Sequence, residues 1–295
     1  MNINLFETMR IFVQVVESGN LAKAADILDV HRPAVTRAIQ QLENHLGVRL
    51  LHRTTRTLHL TSEGDLFYQR CKNLLNEVDD TMDCFTQDKP IGGVLRVDIA
   101  VVLANNWIIP RLPEFQKMHP DLKIVLYSSD YKGDLIKDGI DCAVRIGDLG
   151  NVDLIAKSLG SVKMMTCAAP SYLSQYGTPK NLSALTSHHA VNFLFSRDNS
   201  VMPWYFKTLN SIEKIIPPKG IMSDNSESFL ACGLAGFGIL QGLQRAFAPY
   251  LATGELVEVL ADFAVPDKKL SLIYPHRQVP RKVRLFELWL QEIMN

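Results

Sequence analysis

The sequence is poor in features that mark several large classes of protein. Cysteine occurs only five times in 295 residues, at Cys71, Cys84, Cys142, Cys167 and Cys232, and no two form a C-x-x-C pair. An odd, dispersed set of thiols argues against a disulfide framework and predicts reduced side chains in a cytoplasmic protein. No apolar run approaches the ~18 residues of a membrane span. The leading residues MNINLFETMR carry charges of both signs and no apolar stretch with a cleavage site, so no secretory signal is expected. Metal-ligand spacing is missing: His188 and His189 are adjacent rather than four apart, and no Cys or carboxylate completes a set. The cluster Gly233, Gly236 and Gly238 ends a predicted helix instead of opening one after a strand. It therefore fails as a dinucleotide loop and reads as tight helix-to-strand packing. Cys167 has no base that the sequence places beside it. Neither a cofactor nor enzyme chemistry is expected.

Net charge is absent as well, with 31 basic and 31 acidic residues. That balance excludes a uniformly basic coat but hides an uneven layout. Residues 30–62 hold five arginines (Arg32, Arg37, Arg49, Arg53, Arg56) against one acid, Glu43, a local net charge of +4. Four histidines lie there too. Such a cluster is either a solvated face or a surface that meets a polyanion.

Periodicity favours the second. Leu5, Met9, Phe12, Val13 and Val16 recur at helical spacing and predict an amphipathic helix over 4–18. Asn20 is a good N-cap for a second, Ala-rich helix carrying Leu21, Ala24, Ala25, Ile27 and Leu28. After a three-residue turn, Pro33 opens a third helix with Val35, Ile39, Leu42 and Leu46 as its apolar stripe and Gly47 as its stop. The opposite face carries Arg32, Thr36, Arg37, Gln40 and Gln41. Two helices joined by a tight turn, the second with a cationic leading end, describe a helix-turn-helix whose second helix enters the major groove of double-stranded DNA. Strands over 48–51 and 58–60 then flank a tip containing Arg53, Thr54, Thr55 and Arg56, a wing suited to phosphates or the minor groove.

Residues 20–28 (NLAKAADIL), 33–43 (PAVTRAIQQLE), 46–56 (LGVRLLHRTTR) and 60–64 (LTSEG) together resemble the winged helix-turn-helix of LysR-type bacterial transcriptional regulators. His31 and Arg32 depart from the Ser and Gln usual in that family at the start of the reading helix. The fold survives this, but the base read should differ.

From Asp65 to Gln87 no Pro or Gly interrupts the chain, and Phe67, Cys71, Leu74, Val78, Thr81 and Phe85 step by four and three. Leu75 and Met82 reinforce this heptad seam. Either the helix packs on its own domain or, as in LysR-type proteins, it joins two copies. A two-fold homodimer would present two reading helices to a two-fold site, and the resemblance extends this to a homotetramer.

Strand and helix patterns alternate after residue 90, which argues an open α/β fold. A strand is expected over 95–100, a helix over 107–119, a strand over 122–127, a short helix over 133–139, and strands over 142–146 and 162–168. A helix over 227–235 follows. Segments 109–115 (IPRLPEF), 141–147 (DCAVRIG), 170–173 (PSYL) and 234–239 (LAGFGI) resemble the effector-binding domain of the LysR family, which is built like a periplasmic binding protein. The expected fold is α+β and multidomain. A winged helix-turn-helix over 1–62 and a long linker helix over 63–90 precede a two-lobed α/β effector domain over 91–295. Lobe I takes 91–163 and 267–295, and lobe II takes 164–266.

The resemblance places a small-molecule effector between the lobes, where clefts are the default pocket. Candidate walls are Val102, Leu103, Ala104 and Asn105 after the first strand, with Ser128, Arg145, Phe193, Asn225, Ser226 and Gln241. Leu103 stands where many relatives have a hydroxyl. Asn105 and Asn106 are expected to open the next helix, which leaves free N–H groups for an anion or merely caps the helix. Arg145 either faces the ligand or forms an internal ion pair with Asp98 or Asp141.

Overall fold

The computed structural model describes residues 4–53, 58–83, 91–131, 133–149, 154–195, 199–209, 211–275 and 279–294. Thr54, Thr55 and Arg56 of the expected wing, and residues 84–90 of the expected linker, lie outside them. Contacts divide the chain into two compact units, Met1–Lys89 and Pro90–Asn295.

The N-terminal unit contains α1 (Leu5–Ser18), α2 (Leu21–Ile27), α3 (Arg32–Leu46), β1 (Leu51–Arg53), β2 (Leu58–Leu60) and α4 (Ser62–Asp83). Caps set the boundaries. Asn20 Oδ1 accepts from the N–H groups of Ala22 and Lys23 and so starts α2. Gly47 closes α3 at φ +71°, a left-handed conformation that a side chain would strain. His31 precedes α3 with no side-chain cap, and Pro33 takes the first turn instead. Phe12, Val15, Ala24, Val35, Ile39 and Leu42 are fully buried at the centre of the unit.

Some expected positions shift. Thr8 rather than Leu5 turns inward on α1, and Ile27 and Leu46 are exposed. The first wing strand begins at Leu51 instead of residue 48, at the point where Glu43 reaches over from α3. Its Oε1 accepts from the N–H groups of Leu50 and Leu51 at 2.9 and 3.1 Å. The hairpin is antiparallel, with Leu51 opposite Leu60. Thr61 Oγ1 accepts from Gly64 N–H and donates to the Arg49 carbonyl, which ties the start of α4 to the segment before β1.

The seam of α4 is divided. Phe67, Tyr68, Cys71 and Leu75 pack on the core of their own unit, with Phe67 against Phe12 at 5.5 Å. Leu74 and Val78, further along the same seam, are 49% and 40% exposed. The first part of the expected dimer seam is thus an intradomain contact. Phe85 lies outside the described residues.

The C-terminal unit has two lobes. In the first, a five-stranded sheet has the order β4-β3-β5-β14-β6, formed by β3 (Gly93–Ile99), β4 (Leu122–Ser128), β5 (Cys142–Ile146), β6 (Ile155–Val162) and β14 (Lys268–Tyr274). β3 runs parallel to β4 and β5, while β14 is antiparallel to β5 and β6. The second lobe holds β7 (Met164–Ala168) between β12 (Leu240–Leu243) and β13 (Val257–Glu258), all antiparallel. It also holds the parallel pair β8 (Ala190–Phe193) and β11 (Gly220–Ser223), and the hairpin β9 (Trp204–Lys207) and β10 (Ile212–Ile215). Helices α7 (Pro170–Tyr176), α8 (Ser226–Leu234) and α9 (Gln244–Thr253) cover it. The chain leaves the first sheet at Val162 and returns to it at Lys268.

Three expectations change here. The strand expected over 162–168 is two strands parted at Lys163. Residues 133–139 form hydrogen-bonded turns rather than a helix. The first helix of the lobe starts at Val101 and not near residue 107. It runs as α5 (Val101–Leu103), a π turn (Ala104–Ile108), a 3-10 turn (Ile109–Arg111) and α6 (Leu112–Met118).

The last helix, α10 (Arg281–Met294), packs on the first lobe. Phe286 and Trp289 meet Phe115 at 5.3 and 5.2 Å. Lys282 pairs with Asp141 at 3.2 Å and donates to the Val94 carbonyl at 2.9 Å. Glu287 takes Lys157 as its partner.

Candidate nucleic-acid interface and inter-lobe cleft

On α3 the buried stripe Val35, Ala38, Ile39 and Leu42 fixes which side faces outward. Arg32, Pro33, Arg37 and Gln40 are exposed, and Thr36 is half-buried among them. The helix thus presents two guanidinium groups, a hydroxyl and an amide on one continuous face, with Arg32 at its leading end. Each group suits a base edge or a phosphate. His52 and His59 stand exposed across the hairpin register from each other. The wing residues Arg53 (for its side chain), Thr54, Thr55 and Arg56 fall outside what the structure describes.

In the C-terminal unit the candidate wall residues separate into three groups. Leu103 and Ala104 are fully buried in the helix, and Asn105 and Asn106 lie one turn inside it rather than opening it. Asn106 donates to the Val102 carbonyl, an ordinary intrahelical contact, with Val102 half-buried beside it. The expected loop is therefore helical. Its start is capped from a distance, since Asp130 Oδ1 accepts from Val101 N–H at 3.0 Å.

Two further candidates are committed elsewhere. Arg145 is buried and ion-paired with Asp98, and its Nη1 donates to the Asp98 and Val144 carbonyls, both at 3.2 Å. These donors serve the sheet, which is the internal ion pair of the two expected alternatives. Gln241 accepts from Tyr205 N–H and donates to Thr166 Oγ1, which joins β12, β7 and β9 within the second lobe.

The third group gathers where the lobes approach. Asn225 caps α8 by accepting from the N–H groups of Glu227 and Ser228, both at 3.0 Å. Ser226 N–H donates to Asp130 Oδ2 of the other lobe at 2.6 Å. Asn105 donates to Glu227 Oε1, also between the lobes, at 2.9 Å. Phe193 stands edge-on to Phe229 at 5.7 Å, and Ser128 is exposed at the end of β4.

Sequence reasoning missed Lys268. It opens β14 at the return crossover, with its aliphatic stem 3.9 Å from where a Cβ on Gly147 would lie. Its ammonium donates to Met202 Sδ at 2.8 Å, a weak acceptor. Burial pushes its pKa down, and the nearby Asp148 opposes that shift. Met202 N–H in turn donates to the Phe193 carbonyl, so Lys268, Met202 and Phe193 are neighbours. No local pattern marks Lys268, because its surroundings come from residues far away in sequence. A separate cavity of ≈ 550 Å³ lies against the other crossover. Trp107, Lys163, Gln244 and Arg245 line it, and Arg245 stacks on Trp107 at 4.1 Å. It contains none of the candidate wall residues.

A helix-turn-helix unit joined to a two-lobed α/β unit points to a transcriptional regulator with an effector-binding domain. Residues 6–65 match the bacterial regulatory helix-turn-helix domain of the lysR family, and residues 89–295 match the LysR substrate binding domain. The chain belongs to the LysR family of transcriptional regulators. It is 37% identical over 289 residues to the HTH-type transcriptional regulator YhjC of Escherichia coli, covering 97% of each chain. It is 31% identical over 295 residues to the HTH-type transcriptional regulator CrgA of Neisseria meningitidis, covering 98% of this chain and 97% of that one. The solved structure of CrgA aligns with a TM-score of 0.61 at 29% identity, covering 98% of both chains. The full-length Vibrio cholerae virulence activator AphB aligns with a TM-score of 0.61 at 26% identity, covering 98% of this chain and 99% of that one. Among the described residues no helix is long and apolar enough to cross a membrane, and no cluster of metal-ligating side chains occurs.

Proposed function

We propose that this regulator reads double-stranded DNA with α3, as a cytoplasmic homodimer or homotetramer, and that a small effector in the inter-lobe cleft modulates it. The carrying observation is the exposed face of Arg32, Pro33, Thr36, Arg37 and Gln40 above a fully buried apolar stripe. Arg32, at the leading end, is assigned to a base edge, where a guanidinium bonds guanine O6 and N7 together. Arg37, Arg53, Thr54, Thr55 and Arg56 are assigned to phosphates and the minor groove. Leu74 and Val78, left exposed on α4, support pairing with a second copy.

In the cleft, Val102, Asn105, Ser128, Phe193, Asn225 and Ser226 remain as walls, joined by Lys268 and Met202. An ammonium whose neighbour is a thioether suits a partly apolar anion. The effector changes lobe closure only through unequal affinity for two states of the assembly. Selection of bound DNA from a random pool tests the reading. A two-fold motif strongly preferred over scrambled DNA supports it. Binding without preference, or none, would leave the N-terminal helices as an assembly device on a small-molecule-binding protein.

A further inference from the structure

The carboxylate of Asp130 holds a position that an acidic ligand would be expected to fill. The first N–H groups of a helix have no partner in the helix and carry its positive end, so they attract anions. Two such starts from opposite lobes meet here. Val101 N–H begins the helical run of the first lobe, and Ser226 N–H begins the nine-residue α8 of the second. One carboxylate bridges both, with Oδ1 on Val101 at 3.0 Å and Oδ2 on Ser226 at 2.6 Å. Asp130 follows β4 in the first lobe, so this is a cross-lobe tie made by the chain itself. The Asn105–Glu227 hydrogen bond runs beside it. Ser226 Oγ is buried there with no partner, a further polar group at the same point.

A tethered carboxylate is always present at high effective concentration, whereas a free one must be supplied from solution. Because both donors are taken, a second anion would have to displace Asp130 and would meet its charge. We propose that Asp130 is a specificity-determining residue of the cleft: it supplies the carboxylate that bridges the two helix starts and shuts that position to acidic effectors. The proposal rests on the reading of the cleft as the effector site.

The test uses the full chain and sodium formate, the smallest carboxylate, against sodium chloride at equal ionic strength. Hydrogen exchange is read at the Val101 and Ser226 amides. In Asp130→Ala both amides exchange roughly tenfold to a hundredfold faster, as expected when a hydrogen bond to a charged acceptor is lost. Formate slows them again in the variant and leaves the original protein unchanged. Unaltered exchange in Asp130→Ala, or equal formate effects on both proteins, overturns the proposal. If Asp130→Ala fails to fold, Asp130→Asn keeps the volume and one acceptor oxygen. It should still speed exchange at the amide that loses its acceptor, and no change at either amide would equally refute the idea. The effector reading fails separately, if calorimetry against a metabolite panel finds no ligand sensitive to Lys268→Met.

Discussion

The Arg145–Asp98 pair allows a sharp prediction, because both side chains are almost completely buried, at 6% and 8% exposure. Replacing Arg145 with Met keeps the stem and removes the charge. Asp98 is then left with Ser129 Oγ, at 3.3 and 3.4 Å, as its remaining side-chain partner. The Asp98 and Val144 carbonyls also lose their guanidinium donor. Breaking a buried pair on one side costs about 3–5 kcal/mol, since an uncompensated charge stays inside. In a unit of this size each kcal/mol moves the melting point by about 2–4 °C, so the expected drop is on the order of 10 °C. Tryptophan fluorescence is the appropriate assay, because Trp107, Trp204 and Trp289 all lie in the C-terminal unit. Pairing Arg145→Met with Asp98→Leu should recover most of the loss, as apolar replacement of a buried pair is often neutral. A single variant melting within about 2 °C of the original would refute the assignment of Arg145 to the fold.

Other outcomes follow from the same structure. A Cβ on Gly64 would lie 1.9 Å from the Leu50 carbonyl oxygen, so Gly64→Ala should abolish cooperative melting of the N-terminal unit by circular dichroism. Gly19→Ala, where nothing lies within 4 Å but φ is +64°, should cost only about 1 kcal/mol. Burial pushes the Cys71 thiol up to about 12, so mass spectrometry should find it unalkylated in native protein at mildly alkaline pH while partly exposed Cys232 reacts. Burial, and then neighbouring His189, hold His188 below its ordinary 6.5. The unfolded chain therefore binds more protons than the folded one as pH falls below 6.5. The stability from a neutral His188 is complete above that value and is lost as pH falls toward the folded pKa. Urea titrations across this window should show a shallower slope for His188→Gln.

Legibility followed the range of the interactions. Helices α1 to α3 are legible because stripe, cap and stop all lie within the helix or next to its ends, as with Asn20 before α2 and Gly47 after α3. The face of α3 followed from Val35, Ile39 and Leu42 alone. The start of the first-lobe helix was misplaced because Asn105 and Asn106 look like caps, while the acceptor at Val101 is Asp130, 29 residues away in sequence. Arg145 had two plausible acids, and only the sheet register, which sets Asp98 opposite Ala143, brings one of them alongside. The heptad spacing corresponds to one helix as far as Asp83. Spacing does not say which partner covers it, and Phe67 and Cys71 turn to their own domain. Lys268 and Met202 carry no local signal at all.

The central claim is that Arg32, at the start of α3, reads bases while Arg37 and the wing hold phosphates. Measuring the affinity of the full chain for its selected site and for scrambled DNA across a salt series tests it most directly, with Arg32→Ala and Arg37→Ala alongside. The account predicts a steep fall of affinity with salt. It further predicts that Arg32→Ala relaxes discrimination at one base step by roughly 1–3 kcal/mol, and that Arg37→Ala weakens all DNA and flattens the salt slope. Equal loss on both DNAs for both variants, or affinity indifferent to salt, would contradict it.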